Sequence, residues 1–167
     1  MKRFLVLLGV LVLMLGWNAY AEGDVSEGYV FYENELFSTE APADWIIHQN
    51  KAQVFYDELL EPDYAQKDRY CVFLVSEVTY GREDVEKLEA SYDFEHKFYE
   101  MTIDGQTALV VERNFHVIGT VQRDVYASTP EGRWVVMRFG CPASDTPYDF
   151  SPIQEAMDHF IDNIQWK

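Results

Sequence analysis

Four strand-like runs follow one another in the second half of the chain: Lys97 to Ile103, Gln106 to His116, Gln122 to Ser128 and Arg133 to Phe139. The links between them are shorter than the dozen or more residues that a crossover between parallel strands needs. Asp104-Gly105 is a two-residue hairpin signal, and Thr129-Pro130-Glu131-Gly132 concentrates turn-forming residues. This stretch is therefore expected to fold as an antiparallel meander, and the rest of the chain has to pack against it.

Just upstream, Tyr70 to Tyr80 carries the apolar run Cys71-Val72-Phe73-Leu74-Val75. Apolar residues at consecutive positions suit a central strand covered on both faces, with Gly81 ending it. Covering a sheet on both faces requires helices, and two candidates have the right periodicity. From Arg82, Val85, Leu88 and Tyr92 recur on one face, with Glu83, Asp84 and Glu86 at the positive end of the helix dipole; this helix should fray by Asp93. Near the C-terminus, Ile153, Ala156, Met157, Phe160, Ile161 and Ile164 form one apolar stripe. There Ser151 is the expected cap, Pro152 the first helical residue and Gln154 the partner in a capping box. Glu155, Asp158, His159 and Asp162 are expected to face solvent.

The first part of the chain reads as short strands. Tyr29 to Glu33 and Glu35 to Thr39 flank Asn34, and Ala41-Pro42-Ala43-Asp44 turns the chain into Trp45-Ile46-Ile47-His48. Gln53 to Tyr56 is a further candidate. Asp57 to Arg69 contains Pro62 and sets Asp57, Glu58, Glu61, Asp63 and Asp68 against only Lys67 and Arg69, so it is expected to be a surface loop.

The N-terminus supplies an address. Lys2 and Arg3 precede an unbroken apolar run from Phe4 to Leu15, followed by Asn18 and the small residues Ala19 and Ala21. This is the pattern of a secretory signal peptide over residues 1–21, cleaved after Ala21. The apolar run is too short to span hydrocarbon, so no stable membrane insertion is expected after cleavage. Residues 22–167 contain no repeat, linker or compositional break and read as one domain, periplasmic or secreted. In an oxidising compartment, the pair Cys71 and Cys141 reads as a disulfide in preference to a redox or metal motif, since neither has a C-x-x-C partner.

The charge narrows the partners. Asp plus Glu number 29 against 13 Lys plus Arg, a formal net charge of −16, and the leader takes away bases but no acid. Nucleic acids and anionic lipid surfaces are repelled by such a field, whereas a basic protein is attracted.

The order of elements supports a family comparison. A leading hairpin carries Asn34-Glu35-Leu36-Phe37-Ser38, Pro42-Ala43-Asp44-Trp45 makes a turn, a helix follows the central strands, then come a meander and a terminal helix ending Ile161-Asp162-Asn163-Ile164-Gln165-Trp166. In this the chain resembles the secreted bacterial PsbP/DcrB-like domain families over nearly all of residues 22–167. The resemblance implies an α/β (α+β) fold: an α/β/α sandwich whose mainly antiparallel sheet of about six to seven strands is flanked by helices. It also implies a binding or assembly module without a shared active site. The chain departs from the DcrB pattern in lacking a lipid-anchor cysteine, and no binding residues are carried over.

Sequence motifs for catalysis are missing. No serine sits in Gly-x-Ser-x-Gly, and His48, His96, His116 and His159 are isolated from one another and from cysteine. The acid clusters at Asp57 to Asp63 and Asp145 to Asp149 lack the calcium-loop frame, and no phosphate-cradling glycine pattern occurs. No cofactor or metal is expected. Trp45, Trp134 and Trp166 could line a sugar site, but their positions suit core packing better.

The segment that stands out is Phe55 to Tyr64, where apolar and aromatic residues are mixed with acids. Aromatics supply contact area while carboxylates steer a basic partner and pair with its Lys and Arg. Tyr56, Asp57, Glu58, Leu59, Glu61 and Tyr64 are the expected protein-binding residues, although Leu59 and Leu60 could instead tuck beneath the domain. The expected function is thus that of an exported, non-enzymatic binding or assembly domain engaging another envelope or secreted protein. A cationic toxin or hydrolase, held by this chain as inhibitor or immunity factor, is the sharper version. The competing reading is a carboxylate-dependent cell-envelope hydrolase, which would need a cleft containing paired acids.

Overall fold

The computed structural model describes residues 25–50, 56–67, 69–115 and 118–167. The expected leader, Gln53 to Phe55 of the expected strand, Asp68 and His116 lie outside the described residues. Among the described residues the meander is the spine of the fold. Strands β6 (His96–Ile103), β7 (Gln106–Phe115), β8 (Thr120–Ser128) and β9 (Trp134–Pro142) are antiparallel neighbours in chain order. The turn between β6 and β7 takes positive φ at both Asp104 (43°) and Gly105 (77°). That pair of values matches the right-handed twist of the flanking strands.

Strand β5 (Val72–Val78) joins the other side of β9, followed by β4 (Tyr56–Leu60) and the edge strand β3 (Ile46–Asn50). The seven-stranded antiparallel sheet has the order β3-β4-β5-β9-β8-β7-β6. A second, three-stranded sheet has the order β1-β2-β10, formed by β1 (Tyr29–Glu33), β2 (Phe37–Pro42) and the two residues of β10 (Gln165–Trp166). Asn34 sets the β1–β2 turn, its Oδ1 accepting from the backbone N–H groups of Leu36 and Phe37.

Side chains alternate across each strand, which sorts the core into two layers. On one face Phe73, Val75, Val110, Val125, Met137 and Phe139 pack with helix α2 (Gln154–Asp162) and the small sheet. Phe160 lies at the centre of this layer, its ring near Tyr32, Phe37, Phe73 and Phe139. On the other face Leu109, Val111, Tyr126 and Val136 pack with Val85 of helix α1 (Arg82–Ala90). The expected α+β sandwich, a mainly antiparallel sheet between helices, is what the chain forms. Among the described residues no helix is long and apolar enough to cross a membrane.

Several local expectations are corrected. Tyr56–Leu60 is strand, not loop. Its register turns Leu59 into the core, and Tyr32 donates to the Asp57 carboxylate, so low strand propensity is outweighed by tertiary contacts. Helix α2 starts at Gln154 with Ile153 at the cap position and no side-chain cap, because Ser151 is held in a preceding turn by its N–H to Asp149 Oδ1 (3.0 Å). His159 is not turned to solvent: it stacks on Tyr29 at 3.6 Å and lies 2.7 Å from the Glu40 carboxylate. Leu88 of α1 is exposed, leaving Val85 as that helix's buried anchor.

Candidate functional site

The acidic and aromatic segment singled out in the sequence sits where β3 and β4 form one side of the large sheet. The pleat divides its residues. Asp57 and Leu59 point toward the α2 layer, whereas Glu58 points to the opposite face, since alternate residues of a strand lie on opposite faces. Six neighbours in sequence therefore do not make one patch.

Two of the six are occupied within the fold. Leu59 is fully buried and contributes to the core, which excludes it from a docking contact. Asp57 accepts the Tyr32 hydroxyl; burial pushes the Tyr32 pKa well up, and the hydrogen bond to Asp57 adds to the effect. Glu61 is partly committed: Lys67 Nζ lies 2.9 Å from its Oε1. Burial works to raise the Glu61 pKa, but hydrogen bonds from Lys67 and from the backbone and thiol of Cys71 leave it below the ordinary carboxylate value. Tyr56 belongs to β4, opposite Asn50 and Ser76.

Glu58 and Tyr64 come together with two residues that sequence reasoning did not include. Glu58 pairs in register with His48 of β3, its carboxylate 3.9 Å from the His48 Nδ1 and both side chains well exposed. Tyr64 begins a single 3-10 turn, Tyr64–Gln66, and meets Tyr70 edge-on at 5.6 Å and His48 at 6.2 Å between ring centroids. Tyr70 is 39% exposed, as is the Glu58 side chain, and neighbouring Ile46 is 41% exposed. Glu58, His48, Tyr64 and Tyr70 thus form a chain of neighbours at the sheet margin, each next to the one before. His48 joins it through strand register, for which adjacency in sequence holds no signal, and Tyr70 joins it from the segment that precedes β5.

A second polar cluster was not anticipated, because Gln122-Arg123-Asp124 reads as an ordinary half-exposed strand. Asp124 is fully buried on the α1 side of the sheet. It accepts from Arg113 Nη1 (2.6 Å), Arg138 Nε and Nη2 (2.8 and 3.0 Å), Gln122 Nε2 (2.9 Å) and the Tyr126 hydroxyl (3.3 Å). Burial opposes the Arg113 charge, and the Asp124 carboxylate more than offsets it, leaving the Arg113 pKa raised. With both carboxylate oxygens saturated, Asp124 is unsuited to act as a base. On the other face Glu112 is similarly engaged by Tyr99 (2.8 Å), Arg123 (2.9 Å) and Lys97 (3.3 Å). These clusters join neighbouring strands.

Trp45 packs on Phe73 and Trp166 on Phe37, while Trp134 adjoins the α1 layer, so the tryptophans serve the core. Among the described residues, no group of three or more His, Cys, Asp or Glu is arranged to hold a metal ion. Cys71 and Cys141 are both buried and both free thiols. The chain matches no family model and no curated protein.

Proposed function

We propose that this protein is an exported, non-enzymatic binding domain that captures a cationic envelope or secreted protein through the sheet margin bearing His48, Glu58, Tyr64 and Tyr70. The carrying observation is that Tyr70 and the Glu58 side chain are exposed, with His48 and half-buried Tyr64 linking them, whereas Asp57, Leu59, Asp124 and Glu112 are engaged inside the fold. Aromatic rings with a carboxylate close by suit a Lys or Arg side chain, whose stem packs on the rings while its charge meets the acid. The net charge of −16 adds long-range attraction toward a basic partner. Membership of the PsbP/DcrB-like families and action as an inhibitor or immunity factor belong to this proposal.

The test is capture from envelope and culture-supernatant fractions by the immobilised protein at about 0.05 and about 0.5 M salt, across which screening of exposed charges changes strongly. Glu58→Lys and Tyr70→Ala variants run in parallel. The expected result is one basic protein retained at low salt, released at high salt and lost by Glu58→Lys. With that partner purified, the association rate should fall on the order of tenfold for Glu58→Lys. Retention indifferent to salt and to both variants, or no retention at low salt, overturns the proposal.

A further inference from the structure

The two buried cysteines are placed with respect to each other more closely than their separation in sequence suggests. Strands β5 and β9 pair with Val72 opposite Gly140, and one further step of the same antiparallel register sets Cys71 opposite Cys141. Residues opposite each other project from the same face. Both cysteines accordingly belong to the α2-side core, with 4% and 0% exposure.

The hydrogen bonding of their backbones identifies the kind of pair they make. In an antiparallel strand the N–H and C=O of one residue point to the same neighbouring strand, and the direction alternates from residue to residue. The Cys71 carbonyl accepts from Glu61 N–H at 3.3 Å, and its own N–H bonds the Glu61 carboxylate, so the Cys71 backbone faces β4 and not β9. On the other strand, Ala143 N–H donates to Gly119 O at 2.9 Å, continuing the register in which Val121 faces Cys141. Cys141, two residues from Ala143, turns its backbone the same way, toward β8. The two cysteines therefore form a non-hydrogen-bonded pair, the closer of the two antiparallel pair types, with Cα atoms about 4.5 Å apart. That spacing falls within the range a disulfide spans.

We propose that Cys71 and Cys141 are the two halves of a cross-strand disulfide that joins β5 to β9, and that it closes during folding, not in the finished domain. In the reaction a thiolate of one cysteine attacks a small-molecule disulfide and releases one thiol. The second cysteine then attacks the mixed disulfide and releases the other, so two protein thiols are oxidised and one external disulfide is reduced to two thiols.

The timing follows from the thiols' surroundings. Burial pushes the Cys71 thiol up to about 12, with the Glu61 carboxylate adding to the effect, and burial pushes Cys141 up to about 11. The thiolate, which is the attacking species, is then scarce at neutral pH, and a core position denies an external oxidant access. Each thiol also has a partner in the reduced fold, Cys71 with Glu61 and Cys141 with the Asp149 carbonyl at 3.7 Å. In the unfolded chain both thiols are exposed and have ordinary acidity. The pairing is independent of the docking face and stands or falls separately from it.

The test uses the full chain in two arms. Reduced, denatured protein is refolded in a mixture of reduced and oxidised glutathione; reduced, already folded protein is placed in the same mixture. The expected result is a peptide linking Cys71 to Cys141 in the refolded arm, and alkylatable thiols in the folded arm at least tenfold slower to disappear. The linked protein should melt on the order of 10 °C above its reduced form. Cys141→Ser and Cys71→Ser variants, treated identically, should show no such gain, which separates the bridge from any effect of the buffer. Refolding that leaves both thiols alkylatable, or a linked form that melts no higher than the reduced one, overturns the pairing. Equally fast oxidation in both arms overturns the timing.

Discussion

Arg113 Nη1 donates to Asp124 Oδ2 at 2.6 Å across β7 and β8, with both side chains buried. Replacing the acid with Asn preserves shape but leaves the guanidinium in the core without its counter-charge. Asp124→Asn should therefore cost about 3–5 kcal/mol, read as a lower urea midpoint at unchanged slope. Arg138 also meets Asp124 but is partly exposed and can turn to water. The double variant Asp124→Leu/Arg113→Met should for that reason recover much of the loss, since removing both charges is far cheaper than removing one.

Phe160 is the hinge of the α2 layer, sharing ring contacts with Tyr32, Phe37, Phe73 and Phe139. Phe160→Ala leaves a cavity among side chains that already interlock. The expected loss is about 3–5 kcal/mol, with Phe160→Leu losing much less because more of the volume is kept. Thermal or urea unfolding of the two variants side by side measures the difference.

The Asp104-Gly105 turn is a case in which local chemistry decides. Both residues have positive φ, which glycine adopts freely and a side chain with a branched Cβ adopts poorly. Gly105→Val should destabilise by about 1–2 kcal/mol, although a Cβ there would meet nothing within 4 Å, so the loss reports backbone strain alone. Gly105→Asn should lose less than Val, as Asn tolerates this region.

The same contrast explains which parts of the fold were legible. The meander, the Asp104-Gly105 hairpin and the apolar stripe of α2 are encoded by neighbours in sequence, so periodicity and turn chemistry locate them to within a few residues. Strand β4 was hidden because Asp57 and Glu58 disfavour strands locally; the contacts that retain them come from Tyr32 and His48, which are distant in sequence. Strand β10 is two residues long and exists only by pairing with β2. Of the expected docking residues, Glu58 and Tyr64 both neighbour His48, while the alternation of strand β4 turns Asp57 and Leu59 to the opposite face. The Asp124 cluster joins side chains from three strands, and no single stretch of sequence carries its signature.

His96 supplies a pH dependence whose sign is fixed by its two partners. Its Nδ1 lies 2.9 Å from the Phe94 carbonyl and its Nε2 2.8 Å from Glu89 Oε1, so both ring nitrogens face acceptors and only the protonated ring can donate to both. The Phe94 carbonyl first, and then the Glu89 carboxylate, raise the His96 pKa above its ordinary value. A group whose pKa is higher folded than unfolded stabilises the fold fully below the unfolded value, about 6.5, and loses that contribution as pH rises through the folded value. Glu77 acts in the opposite sense: Arg133 binds it through two hydrogen bonds (2.8 and 2.6 Å) and lowers its pKa, so its contribution is lost as pH falls through that lowered value. Melting curves of the wild type and His96→Gln between about pH 5.5 and about pH 9 isolate the first effect, since other groups are common to both proteins. The wild type should exceed the variant most at the acid end and converge toward it at the basic end, with the His96 ring titrating above about 6.5 by NMR. A gap that stays constant over this range, or widens with rising pH, would show that the ring is not held as the imidazolium between Phe94 and Glu89.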